Sequence, residues 1–222
     1  LLLYRSAGLA RWPATAVAAA TSGETRWVRP PGPWRPSKLR LLVDALRSPG
    51  RNWSGFMPRH IEHPAVRHSA PKSVKILSRP SSSACCLTIV ELGTHTGNSY
   101  CAFCQAVKAL DLPTKCYAID TWQGDPQAGF YGAEILEELR IHHDPQYGAF
   151  SRLIPSTFDE ALAHFAEESV DLLHIDGYHT YEGARGDFYN WLPKLAPNAI
   201  VLFHDINVRE GDFGVHQLWD EI

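Results

Sequence analysis

No apolar run in this 222-residue chain approaches the ~18 residues of a membrane-spanning helix. The opening Leu1-Leu-Leu gives way at once to Tyr4 and Arg5, too short a core for a secretory signal, so secretion is not expected. Among the five cysteines, Cys101 and Cys104 form a single Cys-x-x-Cys with no second pair to complete a zinc site, and Cys85 and Cys86 are adjacent. The strand-turn-helix around them differs from a thioredoxin, so they read as buried thiols of a reducing, cytoplasmic compartment. Also missing is Gly-x-Gly-x-x-Gly, the turn that lets a backbone approach a dinucleotide pyrophosphate.

Acidic residues are scarce at one end only. Residues 1–80 hold 14 Lys+Arg against 3 Asp+Glu, while residues 81–222 hold 7 against 21. Ten of the 16 prolines also fall in the first 80 residues. Apart from Lys38-Leu-Arg-Leu-Leu-Val-Asp-Ala-Leu-Arg47, one expected short helix, this part has no sustained periodicity. Such a segment does not bury enough surface to offset its ordering entropy, and residues 1–85 are expected to be a basic, largely disordered extension or linker. Its composition fits an organellar transit peptide, a basic arm for nucleic acid or a membrane surface, or a linker or translated flank. The first residue is Leu rather than Met, which favours the last of these.

What is present begins at residue 86. Cys86-Leu-Thr-Ile-Val90 reads as a buried strand, and Tyr100 to Leu110 has helical spacing. Between them lies Glu91-Leu-Gly-Thr-His-Thr-Gly-Asn-Ser99. Its Glu-x-Gly-x-x-x-Gly pattern places a carboxylate where a pyrophosphate would be repelled. It suits instead a cationic, phosphate-free cofactor end, such as the amino acid part of S-adenosylmethionine. A plain strand-to-helix turn using glycine for positive φ is the competing account. Lys115-Cys-Tyr-Ala-Ile-Asp120 is the next strand, and Asp120 lies 23 residues after Gly97, the distance at which a terminal carboxylate meets ribose hydroxyls.

Residues 121–147 leave the carboxyl end of that strand as a long connection, expected to act as a lid or binding loop. Trp122 and Tyr131 in it could line a sugar or adenine site or pack the lid. Ala133–Ile141 is helical, and His142-His-Asp144 is expected in a solvated loop. Further strands are Phe150–Pro155, Val170–Asp176 and Ala199–Asp205, with helices from Ser156 to Phe165 and from Tyr181 to Leu195. Phe188, Trp191 and Leu192 read as core, and Asp187 as a surface residue. The order predicts an α/β, Rossmann-like parallel sheet with helices on both faces. The chain stops within an apparent helix, so the sheet is expected to be truncated at one edge.

Two strands end in acid–imidazole clusters, Ile175-Asp-Gly-Tyr-His179 and Phe203-His-Asp205. Asp176, His204 and Asp205 could converge on one divalent cation, with Mg²⁺ or Mn²⁺ better suited than zinc because no thiolate joins them. His179 is then placed to take a proton from a substrate hydroxyl. The competing account makes these residues turn formers and helix caps.

From Thr88 to Ile222 the chain resembles class I S-adenosylmethionine-dependent methyltransferases. It looks closest to the branch found beside or fused to bacterial glycosyltransferases and akin to sugar O-methyltransferases. The segments that carry the likeness are Val90–Ser99, Ala118-Ile-Asp-Thr-Trp-Gln-Gly-Asp125, Leu172–Glu182 and Val201-Leu-Phe-His-Asp-Ile206. The resemblance implies that Glu91, Gly93, Thr94, Gly97 and Ser99 cradle the methionine part of the cofactor and that Asp120 takes its ribose. It implies metal ligands at Asp176 and Asp205 and a general base at His179. His204 departs from the acid that metal-dependent relatives often carry. The last two strands of the family, a reversed edge hairpin, are absent. The expected function is O-methylation of a sugar, glycan or small natural product, with a glycosyltransferase as a fused or neighbouring partner. The rival readings are an NAD-dependent oxidoreductase, a non-catalytic accessory module of a glycosyltransferase, and a nucleic-acid binder using the basic arm.

Overall fold

The computed structural model describes residues 2–5 and 86–222. The helix expected over Lys38–Arg47 lies outside the described residues, as does most of the basic segment. One sheet organises the rest. In chain order its strands are β1 (Leu2–Arg5), β2 (Leu87–Leu92), β3 (Thr114–Asp120), β6 (Ser151–Pro155), β7 (Val170–Ile175) and β8 (Leu195–Phe203). Two further short strands, β4 (Gly124–Asp125) and β5 (Gly129–Phe130), form a separate antiparallel hairpin. The spatial order of the main sheet is β1-β8-β7-β2-β3-β6. All of its pairings are parallel except the one between β1 and β8.

The edge beside β8, where the sheet was expected to be truncated, carries an antiparallel strand drawn from residues 2–5. Leu2 to Arg5 pair with Phe203 to Ile200. Strand amides left exposed at a sheet edge can be met by any chain segment, and here residues 2–5 meet those of β8.

Helices α1 (Asn98–Ala109) and α2 (Ala133–Tyr147) cover one face of the sheet; α3 (Phe158–Ala161), α4 (Tyr181–Trp191) and α5 (Val215–Glu221) cover the other. In α1 the buried set Tyr100, Cys101, Phe103, Cys104, Ala106 and Val107 follows the helical repeat and presses on Ile89, Cys116 and Leu172. In α4 the stripe is Ala184, Phe188 and Trp191 against Val90, Leu173 and Phe203. Each large apolar side chain buried this way contributes about 1.5–3 kcal/mol. Thr157 caps α3 in a reciprocal capping box with Glu160, and the Thr180 hydroxyl caps α4 by accepting the Gly183 N–H.

Helix α2 corrects the sequence reading of His142-His-Asp144. It runs through Pro145 to Tyr147, so these residues are helical, and His143 and Tyr147 are buried. Proline disfavours helix on its N-terminal side, but the packing of His143 and Tyr147 outweighs that local preference. Strands β3 and β6 lie on one side of β2, β7 and β8 on the other. The chain thus reverses direction across the sheet between β2 and β7, the point at which open α/β sheets bind ligands outside their strand ends.

Candidate active site

Backbone bonds beyond the strands hold the carboxyl ends level. Gly93 N–H donates to Ile119 O, Asp176 N–H to Leu92 O, His204 N–H to Ile175 O and Ser156 N–H to Asp120 O, all at 2.8–3.0 Å. Every sequence-predicted site residue lies on or just beyond this edge.

On the side of β2 and β3, Glu91 is fully buried. Its Oε1 accepts from Ser99 Oγ at 2.5 Å and lies 2.7 Å from His174 Nδ1, while its Oε2 accepts from Thr94 Oγ1 at 3.2 Å. Burial pushes the Glu91 carboxyl up, and the bonds to His174 and Ser99 pull against it. Asp120 is buried too, and both its oxygens face backbone. Oδ2 accepts the N–H groups of Thr94 and His95, each at 2.8 Å, and Oδ1 accepts that of Trp122 at 2.7 Å. The Trp122 indole in turn donates to His95 O at 2.9 Å. Asp120 thus ties the end of β3 to the turn after β2.

Gly93 has φ 83° and sits hard against β7: a Cβ there would lie 2.1 Å from Asp176 O. A side chain at this position would wedge the two strand ends apart. Gly97, at φ 83°, is the N-cap of α1.

On the side of β7 and β8 the cluster is made of side chains. Asp176 Oδ1 lies 3.1 Å from His179 Nε2 and 3.0 Å from His204 Nδ1. Asp205 closes on the same groups, with Oδ1 3.0 Å from His204 Nδ1 and Oδ2 3.7 Å from His179 Nε2. Burial alone would raise the Asp176 carboxyl, but His179 and His204 hold it well below the usual carboxylate range. Burial opposes charge on His204; the bonds to Asp176 and Asp205 outweigh it and push the ring up to about 10. Asp205 is lowered by the same imidazoles against its own desolvation.

Donor atoms of Asp176, His179 and His204 all lie within 4.8 Å of one another. His179, expected as the base, falls in this group, whereas Asp205, expected as a ligand, does not. Imidazole nitrogens beside carboxylate oxygens fit a divalent cation, and fit Mn²⁺ or another transition ion better than Mg²⁺.

Two residues missed in the sequence belong here. His174, 1% exposed, pairs across the ladder with Glu91 and stacks edge-on to His204 at 6.0 Å between ring centres. It therefore sits between the two halves. The signal available for it was a histidine inside an otherwise apolar central strand. Asp187, read as a surface residue, is instead largely enclosed. Burial and the neighbouring Asp159 carboxylate push it up to about 7, against the pull of His179. It sits on α4 facing Gly177, whose Cβ, if present, would lie 3.0 Å from Asp187 Oδ2.

A family model described as a methyltransferase domain matches residues 90–206, which is more than half of the chain and runs from β2 to just past β8. The chain belongs to the methyltransferase domain family. It is 58% identical over 134 residues to the uncharacterized protein y4gI of Sinorhizobium fredii; the match takes in 60% of this chain and only 15% of that protein. Among solved structures, the SAH-bound methyltransferase PaMTH1 of Podospora anserina is 20% identical, covering 54% of this chain and 46% of its own, with a TM-score of 0.41. The calicheamicin methyltransferase CalS11 is 19% identical, covering 54% and 58%, with a TM-score of 0.42. Among the described residues no helix of this methyltransferase domain is long and apolar enough to cross a membrane.

Proposed function

We propose that this methyltransferase domain moves the methyl group of S-adenosylmethionine to a hydroxyl of a sugar, glycan or small natural product. One observation carries the reading: a glycine turn with a buried acid and an acid–imidazole cluster close adjacent strand ends, with Gly93 pressed against the Asp176 backbone. Methyl donor and hydroxyl acceptor need that adjacency, because the displacement requires the two reactants in line and in contact.

In this reading Glu91, Gly93, Thr94, Gly97 and Ser99 receive the methionine end of the cofactor. Asp120 receives the ribose with the one acceptor site on Oδ1 that its three backbone bonds leave over. Asp176, His204 and Asp205 would hold a divalent cation, which when bound makes a coordinated hydroxyl more acidic. His179 takes the hydroxyl proton. With its Nε2–H on Asp176, Nδ1 is the nitrogen left to accept it, and Asp176 stabilises the resulting imidazolium. The acceptor oxygen forms its bond to the methyl carbon as the S–C bond breaks, and the electron pair of that bond stays on sulfur.

The NAD-dependent rival is disfavoured by the position of Glu91, which puts a buried carboxylate beneath the turn where a pyrophosphate would lie. A glycosyltransferase as a fused or neighbouring partner belongs to the same reading; the match takes in only 15% of the Sinorhizobium relative, which leaves room for further domains in that protein. The basic arm invoked for nucleic acid lies outside the described residues. Calorimetry with S-adenosylmethionine tests the proposal. Binding that is lost in Glu91→Ala is the expected result; no binding, or binding that Glu91→Ala leaves unchanged, rejects it.

A further inference from the structure

The loop that follows β3 carries residues the mechanism above does not use. Its hairpin closes tightly: Gly124, at φ 76°, would place a Cβ 2.0 Å from Gly129 O. The turn between β4 and β5 is set by Asp125, whose Oδ1 accepts the N–H groups of Gln127 at 2.6 Å and Ala128 at 2.7 Å. That turn presents the Gln127 side chain to two segments remote in sequence.

Gln127 Oε1 accepts the His179 N–H at 2.9 Å, and Nε2 donates to Asp212 Oδ1 at 2.6 Å. The two partners fix the amide orientation, since an N–H needs the oxygen and a carboxylate needs the NH₂. Asp212 Oδ2 in turn accepts from Tyr178 Oη at 3.1 Å, which closes the chain of bonds one residue from where it began. His179 is gripped from further sides. Its carbonyl accepts the Gly214 N–H at 2.8 Å, and its ring stacks on Phe213 with centres 5.2 Å apart and planes 16° from parallel. The segment 211–214 and the β4–β5 turn therefore meet on His179, and Gln127 is the side chain that joins them.

We propose that Gln127 is a positioning residue for His179: by bridging the His179 N–H and Asp212, it fixes the imidazole beside Asp176 and Asp205 and holds the β4–β5 hairpin as a wall against it. The proposal rests on the reading of His179 as the residue that takes the acceptor proton, and it needs neither a bound cofactor nor an identified acceptor to be tested.

The test is hydrogen exchange of the His179 amide, followed by NMR on the whole chain together with the ring nitrogen shifts of His179. In Gln127→Ala the amide is expected to exchange about fivefold faster, the typical worth of one hydrogen bond, and the ring shifts to move. Affinity for S-adenosylmethionine is expected to stay within about twofold of the parent, because neither of the two hydrogen bonds removed is made to a residue of the donor turn. Gln127→Glu combined with Asp212→Asn keeps both bonds with donor and acceptor exchanged on the Asp212 side, and should restore slow exchange. Unchanged exchange and unchanged ring shifts in a folded Gln127→Ala would overturn the proposal, as would failure of the double variant to restore them. If the parent chain did not bind S-adenosylmethionine, the methyl-transfer reading would fall while the coupling of Gln127 to His179 was still measured.

Discussion

Around Asp120 the polar contacts run from side chain to backbone, whereas around Asp176 they run from side chain to side chain. The three N–H groups on Asp120 belong to strand ends and a helix entry whose positions the sheet dictates. The contacts on Asp176 come from two imidazoles that can rotate, change charge or take another partner. The Asp120 part of the site is consequently prebuilt by the sheet. The second half has a shape that depends on which groups are charged, as suits the proton transfer proposed for it.

The most severe way to break this contrast is Asp120→Ala. It strands three N–H groups at the turn, and a loss of about 4 kcal/mol of stability is expected in urea denaturation. Glu91→Ala should act next: it leaves His174 without its buried partner, and about 3 kcal/mol of stability is expected to be lost together with affinity. Calorimetry should show S-adenosylmethionine binding weakened by about tenfold to a hundredfold, or 1.4–2.8 kcal/mol.

On the other half, His204→Asn removes the cation between two carboxylates. In the metal-free protein about 1–2 kcal/mol of stability should be lost, and the loss should depend on pH. The His204 contribution is full below its unfolded pKa of about 6.5 and fades as pH rises through about 10. The Asp176 and Asp205 contributions are present above about pH 4 and fade as pH falls below it. Denaturation with a chelator present should therefore show the largest difference from the parent between about pH 4 and 6.5, and a small one near pH 10. A difference that does not vary across that range would count against the charge-held picture of this half.

Asp187→Asn sharpens the same contrast with the opposite sign. The folded-state pKa of Asp187 is raised to about 7, so the parent loses stability as pH rises from about 4 towards 7. The amide should remove that slope and gain about 1 kcal/mol at pH 8, read from denaturation midpoints. The smallest effect is expected for Phe130→Ala in the hairpin wall. Its side chain is 80% exposed, and stability should change by less than about 0.5 kcal/mol.

Much of this was legible from local pattern. Val90 to Ser99 announced a strand, a glycine turn and a helix. Asp176, His179, His204 and Asp205 were recognisable as strand-end residues because they follow apolar runs. His143 was misread because it stands among polar neighbours, and Asp187 because a carboxylate within a helix reads as solvent-facing; the enclosure of both comes from elements distant in sequence. His174 was passed over because a histidine in a strand says nothing of its partner until β2 lies beside β7. Gln127 was equally silent: a glutamine in a polar turn acquires a role only when residues 179 and 212 come within reach of it.

Short apolar runs alternating with helical spacing, together with the placing of glycine and aspartate at turns, were enough to determine that this chain builds a parallel α/β sheet with its candidate site residues at one edge. Those signals act within a few residues, where backbone sterics and hydrogen bonding are local. Tertiary structure alone decided that Asp120 serves the backbone, that His174 links Glu91 to the neighbourhood of His204, and that an N-terminal strand covers the β8 edge. It also decided that Gln127 holds His179. Each of these depends on a pairing between strands or loops tens of residues apart, and sequence spacing carries no information about which of them will meet.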